Sequence, residues 1–96
     1  MNIGKLINTL RVDRMKQTQV IFSDCVGITQ TYLSQIENSQ KTPSQEVLQR
    51  ISDYVDIPLG IMYWLATEEK DIKESKLDAF RVLKPSVDEM LSEFIY

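Results

Sequence analysis

The sequence predicts an all-α protein, five short helices followed by a helical C-terminal extension. Three observations carry this. Apolar residues recur at three- and four-residue spacing along most of the 96 residues. Thr18, Thr29 and Ser44 each stand just before such a run, where a side-chain oxygen caps a helix start. No stretch of alternating polarity is long enough for a sheet.

The elements follow in order. Residues 3–15 place Ile3, Leu6, Ile7, Leu10 and Met15 mostly on one helical face. A second helix opens after Thr18, carries Val20, Ile21, Phe22 and Val26, and stops at Gly27, the residue suited to a left-handed turn. Thr29 caps a third, with Tyr32, Leu33 and Ile36, which ends near Asn38-Ser39 before a loop through Pro43. Ser44 opens a fourth, with Glu46 in its first turn and Val47, Leu48, Ile51, Tyr54 and Val55 for the core. Asp56-Ile57-Pro58 breaks it, and a fifth covers residues 59–66. In the tail, residues 68–84 are charged, with an irregular apolar stripe of Ile72, Leu77, Phe80 and Leu83. Pro85 is expected to end that segment. Ser86 to Glu89 reads as a capping box opening a last helix, whose stripe is Val87, Met90, Leu91, Phe94 and Ile95. The expected division is a helix-turn-helix domain over residues 1–66 and an extension over 67–96, a candidate dimerisation element.

Two helices about eight residues long, joined at a glycine, fit the element that lays its second helix in the major groove of DNA. Phe22, Val26, Ile28, Leu33 and Ile36 would face the core, and small Ser23 lies where the helices cross. The outer face of the third helix is then Gln30, Thr31, Ser34 and Gln35, polar and uncharged. Gln can donate to and accept from the N6/N7 edge of adenine, and a Thr methyl can meet the thymine methyl.

Composition sets the limits. Hydrophobic residues make up 43 % and charged residues 26 %, the balance of an ordinary globular domain. The net charge of −3 is unevenly spread. Residues 1–43 carry five basic side chains against three acidic, and residues 66–96 five against eight. Non-specific phosphate attraction is therefore expected to be modest, with the tail turned from DNA. Cys25 is the one cysteine, which excludes an internal disulfide and suits a reducing, cytoplasmic setting. There is no His, no Gly-rich phosphate loop and no nucleophile beside a base. No catalytic residue, metal site or cofactor is expected, and no apolar run is long enough to span a membrane.

Residues 3–65 resemble the Cro/C1-type, Xre-like helix-turn-helix family. The resemblance rests on Ile3-Gly4, Leu10-Arg11 and Thr18-Gln19, and above all on the run from Gly27 to Asn38 with its Ile36-Glu37-Asn38 ending. Pro43-Ser44 and Leu48-x-x-Ile51 continue it. It implies a five-helix, lambda-repressor-like fold that acts as a homodimer on an inverted-repeat operator in double-stranded DNA. By the same resemblance Gln19, Thr29, Gln30, Thr31, Ser34 and Gln35 contact DNA, with Gln19 and Asn38 near phosphates and Lys41 and Thr42 along the backbone. It also implies an Arg11–Glu37 ion pair inside the domain. Ser23, Asp56 and Pro58 depart from the usual Ala, Gly and capping Ser or Thr.

The expected function is a sequence-specific transcriptional regulator, a repressor, with residues 29–37 in the major groove. The alternatives are an antitoxin or protein-interaction module whose extension meets a protein partner while it regulates its own operon, or a restriction-modification controller.

Overall fold

The computed structural model describes residues 1–95, and every regular element among them is helical. Helix α1 (Ile3–Thr9) runs directly into a π-helical stretch (Leu10–Arg14). Then come α2 (Gln19–Val26), α3 (Gln30–Glu37), α4 (Gln45–Val55) and α5 (Leu59–Ala66). Two 3₁₀ turns (Glu69–Asp71 and Glu74–Lys76), α6 (Leu77–Leu91) and a last 3₁₀ turn (Ser92–Phe94) complete the chain.

The predicted caps form. Thr18, Thr29 and Ser44 accept from the backbone N–H groups of Ile21, Tyr32 and Val47, and Asn2 does the same for Lys5. Each such bond satisfies a donor that the helix itself leaves orphaned, at about 1 kcal/mol. The five helices then close around one core. α1 packs on α3 and α5, α2 on α3 and α4, and α4 on α5. Ile7, Leu10, Phe22, Leu33, Ile36, Ile51 and Met62 are fully buried there, and Phe22 meets Tyr54 edge-on at 5.6 Å.

The first helix does not stay α-helical to residue 15. The Met15 N–H reaches back five residues to the Leu10 carbonyl, and the Gln17 N–H six residues to Arg11. Lys16 turns the chain at φ 53°, and the Arg11 guanidinium closes the turn by donating to the Gln17 carbonyl at 2.8 Å. The three departures from the family pattern are each absorbed locally. Ser23 is buried and donates its hydroxyl to the Val20 carbonyl. Asp56 takes the left-handed conformation itself, at φ 57°, and the buried Ser52 hydroxyl bonds the Ile57 carbonyl beyond it. Pro58 offers no side-chain cap, but its carbonyl accepts from Ile61 and Met62.

Pro85 does not end a helix, and the expected capping box at residues 86–89 does not form. Both lie inside α6. The proline has no N–H for the Arg81 carbonyl, a defect that tertiary contacts on both sides outweigh. Phe80 packs edge-on to Trp64 at 5.9 Å. After the proline, Asp88 accepts from the Trp64 indole at 3.1 Å and from Lys84 at 3.2 Å. The Lys84 ammonium also caps α5 through the Trp64 carbonyl and lies over the Trp64 ring at 5.2 Å. Held to α5 before and after residue 85, the segment stays one helix. The expected terminal stripe splits as a consequence: Phe94 and Ile95 pack on the core, while Met90 points outward, 70 % exposed. Leu83 of the preceding stripe is also exposed, and Phe80 is buried. No helix among the described residues is long and apolar enough to cross a membrane.

Candidate nucleic-acid interface

The turn between α2 and α3 is built from backbone bonds. Gly27 sits at φ 74°, its N–H bonds the Asp24 carbonyl, and the Ile28 N–H reaches the Ser23 carbonyl at 3.0 Å. This double closure satisfies the last carbonyls of α2, and Ile28 packs against the core beside it. The guanidinium of Arg50 donates to the Gly27 carbonyl at 3.1 Å, and a Cβ on residue 27 would come within 2.7 Å of the same group. The joint between the helices is thus held from α4.

Helix α3 divides cleanly. Leu33 and Ile36 are fully buried. At about 100° per residue, positions 30, 31, 34 and 35 then fall within an arc of roughly 140° on the other side. Gln30 and Thr31 are exposed there, Ser34 and Gln35 half-buried. Thr29, exposed at the helix start, uses its hydroxyl as the cap. Asn38 is exposed at the other end and donates to the Ser34 hydroxyl at 3.4 Å. Among the described residues the side chains of Gln30, Thr31 and Gln35 form no hydrogen bond, so their donors and acceptors stay open to a ligand.

The loop after α3 is tied to it. Ser39 turns the chain at φ 60°, and the Gln35 carbonyl accepts from the N–H groups of both Gln40 and Lys41. Pro43 is buried, while Lys41 and Thr42 are exposed at the same end of α3 as Gln35.

The last residue of α3 is a carboxylate, which exposed would repel phosphate. Glu37 is instead only 4 % exposed and fully engaged. Arg11 binds it with two prongs, Nε to Oε2 at 2.8 Å and Nη2 to Oε1 at 3.0 Å. Asn8 and Gln19 both donate to the same Oε1, at 2.9 and 3.2 Å. Burial pushes the Glu37 carboxyl up, but these hydrogen bonds and the Arg11 charge outweigh it and hold the group below its ordinary value. Glu37 in turn raises Arg11. The ion pair implied by the resemblance is therefore present, and the face of α3 is left without an exposed charge.

The structure thus brings Gln30, Thr31, Ser34 and Gln35 onto one face, with Thr29 and Asn38 at its ends and Lys41 and Thr42 on the loop beyond. Gln19 stands apart at the start of α2 and is hydrogen-bonded to α3 through Glu37. The sequence reading gave Asn8 no role, and Gly4 none beyond its place in the Ile3-Gly4 match. Asn8 reads as a polar interruption of α1, and Gly4 as a small residue in it. Their spacing with Arg11, i, i+4 and i+7, is the signal that places all three on one face. Gly4 is packed so closely that a Cβ would lie 2.1 Å from the Ile36 carbonyl oxygen. No cluster of metal-ligating side chains occurs among the described residues.

Such a surface can offer hydrogen bonds to base edges without an opposing charge. Comparisons with known proteins bear on the family. The profile of the family described as Helix-turn-helix matches residues 22–61, which span the second to the fifth helix. The chain is 32 % identical over 77 residues to the ImmF control region 10 kDa protein of Bacillus phage phi105, covering 79 % of this chain and 81 % of that protein. No solved structure matches. The matched helices, their glycine turn and the likeness to a phage control-region protein lead to one assignment: the chain belongs to the Cro/C1-type helix-turn-helix family and is a DNA-binding regulator.

Proposed function

We propose that the protein is a repressor that binds an inverted-repeat operator as a homodimer, with α3 of each subunit in a major groove. The uncharged outer face of α3, its one carboxylate withdrawn into an ion pair, is the observation that carries this reading. In it Gln30, Thr31, Ser34 and Gln35 face the bases, while Gln19, Thr29, Asn38, Lys41 and Thr42 meet the backbone. Side-chain amides and hydroxyls can read base edges, and Lys41 adds an attraction common to all sequences. The half-sites lie about 34 Å apart, or a multiple of that distance. Residues 67–96 form the dimerisation unit in this reading, since Val82, Leu83 and Met90 line α6 exposed. The protein works in the cytoplasm, by binding and without catalysis.

Selection from a random duplex library at about 0.15 M salt tests the proposal, because that salt weakens non-specific attraction. Enrichment of an inverted repeat is the expected result. A folded protein that enriches no sequence overturns it and favours the protein-interaction reading, with the acidic extension as the surface to probe.

A further inference from the structure

Three donors from three parts of the chain converge on one oxygen atom. Glu37 Oε1 accepts from Asn8 on α1 at 2.9 Å, from Arg11 in the π-helical stretch at 3.0 Å and from Gln19 at the first position of α2 at 3.2 Å. Of these, Gln19 is the one that the reading above places against DNA, and it is half-buried. With one N–H given to Glu37, that amide has its carbonyl oxygen and its second N–H left to present to a ligand. Which way it presents them depends on where Oε1 is.

The last torsion of a glutamate is soft. What holds this carboxylate is the count and direction of its donors. Arg11 grips it from one side with two prongs. Asn8 opposes from the neighbouring turn of α1, on the face that Gly4 seats against the end of α3. Without the Asn8 amide, Oε1 keeps only the Arg11 and Gln19 donors, and the soft torsion is less constrained.

We propose that Asn8 is a positioning residue for DNA recognition: by sharing Glu37 Oε1 with Gln19, it fixes the orientation in which the Gln19 amide meets DNA. The inference rests on the reading above, in which Gln19 contacts DNA. Asn8 itself lies on the α1 side of Glu37 and touches no base or phosphate in that reading. Its effect therefore passes wholly through Gln19.

A double-mutant cycle measures this. Operator affinity and thermal stability are determined for the wild type, Asn8→Ala, Gln19→Ala and the double variant, at a temperature where all four are folded. The selected operator serves as the probe. The expected result is that Asn8→Ala weakens operator binding roughly three- to tenfold, about the worth of one ordinary hydrogen bond. The loss should disappear in the Gln19→Ala background. In the free protein, Asn8→Ala should also shift the Gln19 side-chain amide resonances in a ¹⁵N-edited NMR spectrum, with Asn38 side-chain resonances as the unmoved control. Equal losses from Asn8→Ala in both backgrounds would overturn the proposal and leave Asn8 a purely structural residue. If Gln19→Ala alone left affinity unchanged, the inference would fail while operator reading by α3 stood. A wild type that selects no sequence would remove both.

Discussion

Gly4 on α1 lies so close to the carbonyl oxygen of Ile36 on α3 that a single added carbon would be 2.1 Å from it. Helix α1 is thereby seated on the last turn of α3, backbone to backbone. Two effects then compete at this position. Alanine is favoured over glycine in a helix interior by about 1 kcal/mol. Overpacking costs about 1–3 kcal/mol, and here the obstacle is a carbonyl that cannot step aside. Gly4→Ala should therefore lower stability in urea unfolding, net. A more stable variant would show that α1 and α3 do not approach this closely.

Acid should act through Glu37. Its carboxyl is held below the ordinary value of 4.5 in the folded chain, since the bonds from Arg11, Asn8 and Gln19 outweigh burial. The stabilisation is complete above the unfolded-state value and is lost as pH falls through the lower folded one. Arg11 is shifted upward and stays charged throughout. Urea midpoints recorded from pH 7 down to about 2.5 should fall more steeply below about 4.5 in the wild type than in Glu37→Gln. The variant should itself lose about 3 kcal/mol at neutral pH, because the guanidinium keeps no charged partner. Parallel pH profiles would rule out Glu37 as the source of acid sensitivity.

Asp56 holds a left-handed conformation, φ 57°, that glycine adopts without strain. Asp56→Gly should raise stability by about 1 kcal/mol, which for a domain of this size is a rise in Tm of about 4–8 °C. A fall in Tm would mean that the carboxylate contributes more than the backbone strain removes.

Pro85 interrupts the hydrogen-bond ladder of α6. A proline in a helix interior costs about 3 kcal/mol, and its stiffening of the unfolded chain returns up to about 1. Pro85→Ala should thus stabilise by about 2–3 kcal/mol and increase the helical circular dichroism. Were residues 77–91 two segments rather than one helix, the substitution would leave the spectrum unchanged.

On DNA, Gln30→Ala and Gln35→Ala should each cost about 1–3 kcal/mol and relax the preference at one operator position. Lys41→Ala should weaken all duplexes alike and lower the salt slope by about 1. Binding to a panel of single-substitution operators at several salt concentrations separates the two behaviours. Unchanged discrimination in both glutamine variants would remove α3 as the reading element.

The sequence by itself determined what depends on neighbours along the chain. The caps at Thr18, Thr29 and Ser44, the turn at Gly27 and the apolar spacing of α2 to α5 are local signals, because a helix is closed by bonds spanning four residues. The polar face of α3 follows from the same periodicity once Leu33 and Ile36 are buried. Tertiary structure decided the rest. Pro85 reads as a stop, and it is overruled only because Phe80, Lys84 and Asp88 all find Trp64, from 16 to 24 residues away. Asp56 reads as a break and is accommodated at positive φ because Ser52 and Ile57 are fixed around it. Asn8 and Gly4 carry no local mark of their structural roles. Those roles exist only where α1, α2 and the end of α3 meet at Glu37, and a contact between distant segments is set by packing, which no short stretch of sequence contains.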